Sequence, residues 1–571
     1  MPNKFWLPFA LLFIIIYSFV GFDWGILSAS RLEALKLDEK AGLVDDIVRL
    51  TEEKGYAVNL HVTGHEEGPE ELVHLHSIVH LSWDKNKSEI LRIIRHYLIW
   101  SYSGDVATAF GPLSTMNPRR LNFNPHSFQY GGAFLYPLAA VLKFSSWIGV
   151  THVASDAGYY IRHPLEFRKL VLAGRTLCVM MNLATLVLIY KTTRLWKDER
   201  TALLAVALYV FIPGPLCLSR ELKPHAYAVA WVMMACYYAL RYLRENREWY
   251  WILSAVGAGL ATGSCLNYGV SFLIPLVAVL GGDLAKRMRH VCYSLLLFGF
   301  VLVITNPYAL ISHELFFQEM TALKQAFSFA GEVLTPWTNI FVRGAPWWLS
   351  LAAGTSLIFY IFGDDPFSEK LLMAAFPVMY TLCFYAASSG ECPPRFAIII
   401  YPWFAMLCAW GLSRIIQKRG WAGILLATAL VGLTCMKGSA YVVNFALDAR
   451  GESDVFRAGR FLSKLPAGSH VGCLAFPAPE SFPALPFYQY PLTTFPDIDT
   501  LQKAPEKELP DYLVITDDAI TDIPRYRLDA EFLPFSFGTR TLFQPEILSS
   551  GTPAWRFRIF HKIQSERRPI A

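Results

Sequence analysis

Apolar stretches long enough to cross a bilayer, roughly 17 to 25 residues each, recur from the start of the chain to about residue 441 and then stop. The pattern predicts spans near 5–24, 170–190, 201–219, 225–243, 249–265, 267–282, 290–308, 346–363, 371–388, 396–413 and 421–441. Another apolar run, at 131–150, is ambiguous by length alone. Two regions break the pattern. Residues 29–100 are rich in Glu, Lys and His, with helical periodicity in GLVDDIVRLTEEKG and KSEILRIIRHYLIWSY. From about residue 446 the signal changes to short strand-like runs (HVGCLAF, DYLVITD, WRFRIFHK), Pro-rich connections and one helical stretch, DVFRAGRFLSKL. That mixture predicts a small α/β domain.

The expected fold is therefore a polytopic α-helical membrane protein of about 11–12 transmembrane helices with a small exocytoplasmic α/β domain at its C-terminal end. Its expected parts are the first transmembrane helix (1–28), a first outer loop (29–130), a juxtamembrane helix with the transmembrane bundle (131–445), and the α/β domain (446–571). Composition agrees: 54% of the 571 residues are hydrophobic and 17% charged, against about 25% charged in soluble domains. The same figures exclude disorder. A net charge of +5 gives no support to a nucleic-acid partner. Most of the ten cysteines fall in or beside apolar runs, where cysteine behaves as a small buried hydrophobe; only Cys392 and Cys473 lie in polar segments where a disulfide is conceivable.

Basic residues orient the spans. KTTRLWKDER, RYLRENRE, DLAKRMRH and RIIQKR alternate along the chain and belong on the cytoplasmic side by the positive-inside rule. With a cytoplasmic amino terminus, parity requires that 131–150 not fully cross, so it reads as a juxtamembrane or re-entrant helix. The other solution is an external amino terminus with 12 full spans. The first segment has no small-residue cleavage site and reads as an anchor. Either topology puts residues 25 to about 130 and the C-terminal region on the outer face.

Three outer-face segments carry candidate chemistry. The stretch YSGDVATAFGPLSTMNPRRLNFNPHSFQYGGAFLYP is irregular, polar and aromatic, a kind of backbone tolerated near a bilayer only under protein or beside a wet cavity. It holds Asp105, then Arg119, Arg120, His126 and Tyr130. A carboxylate near guanidinium groups can accept a proton from a hydroxyl while the arginines hold a phosphate; equally, Asp105 can simply cap the helix that starts at Val106. SRELKPHAYAVAW brings Lys223 and His225 to a span end, suited either to a lipid-linked phosphate or to snorkelling. ECPPRFAIIIYP places Arg395 at an outer-leaflet helix end. The histidines His61, His65, His74, His76 and His80 suggest a zinc site, but no Cys joins them and a solvated surface explains them better. No Walker loop, dinucleotide fingerprint or serine-hydrolase motif occurs.

In the order of these features the chain resembles the GT-C superfamily of polyprenyl-phosphate-sugar-dependent glycosyltransferases, in particular the relatives of protein O-mannosyltransferases and of the lipid A aminoarabinose transferase. The resemblance spans roughly residues 95–440 and rests on Asp105 in the first outer loop, the run at 131–150, His225 after the third span, Arg395-Phe396 before Pro402, and the segments GLATGSCLNYG and TNPYAL. It implies an inverting transfer on the outer face. The donor would be a polyprenyl-phosphate sugar and the acceptor a hydroxyl on a glycan, lipid or protein. Asp105 would act as general base, and Arg395, Lys223, His225, Arg119 and Arg120 would offset charge on the leaving phosphate. His126, Tyr130, Trp337 and Arg343 would line the substrate pocket. The scheme requires no metal or cofactor. The sequence departs from the family pattern at Val106, where an Asp-Glu pair is usual, and at His225, where an acid is.

The competing class is a transporter or lipid flippase, which places ionisable residues near the midplane of several spans; here they sit near span ends, and no internal repeat occurs. A membrane scaffold presenting the outer domain is the third reading. The expected location is the cytoplasmic membrane, with the chemistry on its outer side.

Overall fold

The computed structural model describes residues 3–53, 77–102, 105–154, 156–281, 287–326, 338–387, 394–474, 477–516, 520, 522–537 and 556–563. Helices occupy all eleven predicted spans. They are α1 (Asn3–Phe19), α7 (Pro164–Trp196), α8 (Glu199–Val210) with α9 (Pro213–Leu218), α10 (Pro224–Glu245), α11 (Glu248–Ser264), α12 (Leu273–Leu280), α13 (Arg287–Thr305), α16 (Trp347–Ile361), α17 (Phe367–Ala387), α18 (Tyr401–Arg419) and α19 (Trp421–Ala449). Among the described residues, four helical stretches are long and apolar enough to cross a membrane: Pro164–Trp196, Arg287–Thr305, Arg395–Arg419 and Trp421–Leu462. The predicted span at 201–219 is broken between α8 and α9, because Pro213 and Pro215 have no backbone N–H to give to the preceding turn. A 3₁₀ segment, Leu266–Phe272, likewise precedes α12.

The elements outside the predicted spans come from three distant parts of the chain. From the first loop come α2 (Ala29–Leu35), α3 (Leu43–Glu53), α4 (Lys87–Ile99) and α5 (Asp105–Thr115), followed by α6 (Gly132–Trp147) over the run at 131–150. After the seventh predicted span come α14 (Pro307–Ile311) and α15 (His313–Ala326), and α20 (Asp454–Leu462) opens the C-terminal part. A six-stranded sheet follows, with strands β1 (Val79–Leu81), β2 (Val471–Leu474), β3 (Leu492–Phe495), β4 (Tyr512–Ile515), β5 (Tyr526–Phe532) and β6 (Phe557–Lys562). Their order is β1-β3-β2-β4-β6-β5. β2 lies parallel to both β3 and β4, and the remaining pairings are antiparallel. The predicted strand runs are β2, β4 and β6. The first loop supplies the edge strand β1, with Val79 opposite Thr494 and Leu81 opposite Leu492. The sheet therefore crosses the expected division between loop and C-terminal domain, and β1 covers the open side of β3 with a strand of only three residues, a short edge. Tyr97 donates to Phe482 O at 2.8 Å and Tyr488 to Lys36 O at 2.8 Å, tying the two parts further.

The exit from α1 anchors these layers. Its backbone passes from partly buried at Val20 to fully buried at Trp24 and Gly25, and buried backbone groups have to be paired. Arg220, fully buried, donates to Tyr17 O, to Val20 O at 3.2 Å and to Leu216 O at 2.9 Å. Arg175 donates to Phe22 O at 2.9 Å and Trp24 O at 2.7 Å. Asp448 accepts from Gly25 N at 2.6 Å, Tyr102 Oη at 3.0 Å and Ser453 Oγ at 2.7 Å. Gly21 has φ +63°, and a Cβ there would lie 2.4 Å from Phe445 Cβ, so the chain turns in direct contact with α19.

Two outcomes follow from this packing. Asp448→Ala leaves three buried donors without an acceptor at about 1–3 kcal/mol each, so thermal unfolding in detergent shows a loss of several kcal/mol; Asp448→Asn loses less. An unchanged midpoint for both refutes the anchoring role. In the C-terminal part, Glu480 Oε2 is buried with no hydrogen-bond partner among the described residues, and burial pushes the carboxyl up to about 7. A carboxyl raised in the folded state binds more protons there than when unfolded. Stability therefore falls as pH rises from about 4.5 to about 7, by roughly 1–3 kcal/mol. Glu480→Gln flattens this slope in a pH series of unfolding curves.

Candidate functional site

α10 begins where Pro224 takes the first helical position, a place where its missing N–H costs nothing. This start sets Lys223 and His225, both buried, at the first turn of α10. His225, 4% exposed, pairs through Nδ1 with the Tyr268 hydroxyl at 2.7 Å. Tyr268 sits in the 3₁₀ segment of GLATGSCLNYG and is itself buried. The His225 ring stands edge-on to Phe396 at 5.3 Å. Phe396 belongs to a second 3₁₀ segment, Pro394–Ile400, whose backbone is held where Tyr380 of α17 donates to Phe396 O at 2.9 Å. Tyr268 and Tyr380 lie 6.2 Å apart, closing the ring of contacts. Arg395 lies 5.3 Å over the Phe396 ring. It is half-buried, and among the described residues no carboxylate pairs with it.

The other predicted residues are placed differently. Lys223 is fully buried with its ammonium 2.6 Å from Glu221, also fully buried, so its charge is matched inside the protein. Arg119 and Arg120 sit on an exposed 3₁₀ turn, Pro118–Arg120, and no hydrogen bond or ion pair among the described residues joins them to Arg395 or His225. His126 is exposed, in a left-handed conformation at φ +50°, with its N–H bound to Asn124 Oδ1 at 3.0 Å. Tyr130 is buried edge-on to Phe134, which in turn meets Tyr227, two residues beyond His225, at 5.4 Å. This aromatic chain connects the first outer loop to α10. Arg343 is exposed on the turn Asn339–Arg343. Asp105 is the first residue of α5, and its side chain lies outside the described residues, as do Trp337, Cys392, His61, His65, His74 and His76. Cys473 is buried in β2, and His80 in β1 shares the Thr493 hydroxyl with His470.

The loop after Asp105 is fixed by the two segments quoted above. Gly131 N donates to Ser264 O at 3.0 Å, Gly132 N to Asn306 Oδ1 at 2.7 Å, and Asn306 Nδ2 to Gly263 O at 3.2 Å. A Cβ on Gly131 would lie 1.9 Å from Gly263 O, and one on Gly132 2.0 Å from Thr305 O, so only glycines allow this approach. Sequence reading passed over Glu319 of α15. Its carboxylate accepts from Phe128 N at 2.5 Å, and burial pushes it up to about 7. The signal available was that Glu319 is one of only three acids in the loop 307–345.

The family model described as dolichyl-phosphate-mannose-protein mannosyltransferase matches residues 167–310. No curated protein matches. Among solved structures, ArnT from Cupriavidus metallidurans bound to undecaprenyl phosphate is similar at 10% identity, covering 99% of both chains, with a TM-score of 0.43. The Archaeoglobus fulgidus oligosaccharyltransferase complex with Zn and sulfate is similar at 15% identity over 68% of this chain, TM-score 0.39, and the present chain spans 60% of its length. Both likenesses are remote. Over residues 167–310, the stretch that carries Lys223, His225 and Tyr268, the chain bears a membrane-glycosyltransferase family match, and the resemblance to the GT-C glycosyltransferases is borne out there.

Proposed function

We propose that the protein transfers a sugar from a polyprenyl-phosphate donor to an acceptor hydroxyl at the outer membrane surface. The observation that carries this reading is Arg395: a half-buried guanidinium with no acidic partner among the described residues, set over Phe396 and beside the His225–Tyr268 pair. A cation kept partly out of water and left uncompensated favours an anion. The leaving polyprenyl phosphate supplies one. Lys223 already answers Glu221, so it contributes a neutral pair that stiffens the start of α10 more than net positive charge.

In the proposed step the acceptor oxygen attacks the anomeric carbon from the face opposite the phosphate. The new C–O bond forms as the anomeric C–O bond to phosphate breaks, the leaving electron pair stays on the phosphate, and the hydroxyl proton passes to Asp105. Inversion follows from the opposed approach. His225, held by Tyr268, is placed to give a hydrogen bond to the phosphate, and preorganised donors of this kind act where charge develops. The scheme calls for no cofactor, and it puts the reaction on the outer side of the cytoplasmic membrane.

Asp105→Asn removes the proton acceptor and lowers turnover by about 10² to 10⁴-fold, read as release of labelled polyprenyl phosphate, with insertion and thermal stability unchanged. Turnover within a factor of two of the original rules out this role. Arg395→Ala lowers turnover by about 10²-fold, and Arg395→Lys restores part of it; full activity in Arg395→Ala moves the phosphate site elsewhere.

A further inference from the structure

A groove of about 870 Å³ is walled by the end of α5, the turn Pro118–Arg120, α6 and α14. That volume falls within the range of ordinary ligand sites. Its lining is almost wholly apolar, and its polar groups are Arg119, Lys143, Tyr136 and Tyr308. No carboxylate lines it, and neither Arg119 nor Lys143 forms an ion pair among the described residues. The two tyrosines are already engaged: Phe123 N donates to Tyr308 Oη at 3.2 Å, and Tyr136 Oη donates to Phe123 O at 3.4 Å. These bonds, with the glycine contacts of Gly131 and Gly132, hold the walls in place without a ligand.

Ile311 in the groove's lining is 69% exposed, and on the wall elements or just beyond them Leu121, next to the turn Pro118–Arg120, is 78% exposed and Trp147, the last residue of α6, 79%. Such a patch is costly in water, and α6 is the helix that sequence parity assigns to the membrane surface, where Trp and basic residues favour the headgroup layer. A free sugar would find few unengaged hydrogen-bonding groups in this groove. A lipid chain finds an apolar slot, with two unmatched cations for an anionic headgroup.

The groove is also set apart from the donor cluster. None of its lining residues is among Arg395, His225, Tyr268, Phe396 or Tyr380. It joins instead the far end of α5, whose first residue is Asp105. At a rise of about 1.5 Å per residue, α5 separates them by roughly 15 Å. That is a distance a lipid headgroup bearing a few sugar units can bridge.

We infer that this groove seats the acceptor, an anionic lipid whose chains occupy the apolar slot, whose acidic group meets Arg119 and Lys143, and whose hydroxyl extends along α5 toward Asp105. The acceptor role rests on the transfer reaction proposed above; the lipid site itself does not. Native mass spectrometry of the full chain released from detergent, with dioleoylphosphatidylglycerol and dioleoylphosphatidylcholine as probes, tests the site. The phosphatidylglycerol is retained preferentially, and Arg119→Glu with Lys143→Glu lowers that retention at least tenfold. Both positions are exposed, and circular dichroism checks that the doubly substituted chain is folded. Equal retention of the two lipids, or no effect of the charge reversal, overturns the site.

Undecaprenyl phosphate binding should be lowered by Arg395→Ala and unaffected by the double reversal; the opposite pattern makes the groove the donor's and overturns the acceptor assignment. In a transfer assay with labelled donor and a fractionated envelope extract, label enters the lipid fraction and falls with the double reversal. Label entering only protein or soluble glycan overturns the acceptor assignment. If the donor is never cleaved, the transfer reading and the acceptor role fail together, while the retention measurement still decides the lipid site.

Discussion

Six residues of backbone, from Val20 to Gly25, set the relation between the membrane helices and everything outside them. They leave the first helix partly buried at Val20–Asp23 and fully buried at Trp24 and Gly25, and three charged side chains from elsewhere in the chain pair their polar groups. Arg220 and Arg175 take the carbonyls and Asp448 takes the Gly25 amide. Each comes from a different helix or turn, so pairing the backbone also fixes the start of α10, the length of α7 and the end of α19 against one another. The cost of a buried, unpaired backbone group makes this arrangement close to obligatory.

The site inherits that rigidity. Arg220 precedes Lys223 and His225 by a few residues, so the carbonyl cap on α1 also places the first turn of α10. Asp448 binds Tyr102 Oη as well as Gly25 N, which holds the approach to α5 and its first residue, Asp105. The two ends of the proposed reaction, base and phosphate partner, are thus fixed to one buried junction. The charges divide accordingly. Arg220, Arg175 and Lys223 are consumed inside the structure, while Arg395, half-buried, has no acidic partner among the described residues.

Much of the fold could be read from the chain because apolar length and basic loops obey strong physical rules. All eleven apolar runs became helical, and HVGCLAF, DYLVITD and WRFRIFHK became β2, β4 and β6. The break at Pro213 was legible in principle and was overridden by the run of apolar residues around it. A three-residue strand such as Val79–Leu81 has too short a period to be seen, and its place at the sheet edge depends on Leu492–Thr494, more than 400 residues away. At the proposed site, His225 and Arg395 were singled out by their chemistry and Phe396 and Tyr268 lay in the segments that carry the resemblance, but the contacts that join them, across 43 and 171 residues, leave no local pattern in the sequence. Lys223 was grouped with the ligand-binding cations because a sequence does not show that Glu221, two residues away, folds against it in a buried pair. Glu319 was missed because its burial is produced by the loop at Phe128, on the other side of the bundle in sequence.

The central claim is that the outer face of this protein cleaves a sugar from a lipid phosphate. The most direct measurement is to incubate the purified, detergent-solubilised chain with a panel of radiolabelled polyprenyl-phosphate sugars and an envelope extract, and to quantify free polyprenyl phosphate. The account predicts release from at least one donor, with the sugar recovered in a new covalent product. Intact donor throughout, or movement of donor across vesicle membranes without cleavage, would contradict it.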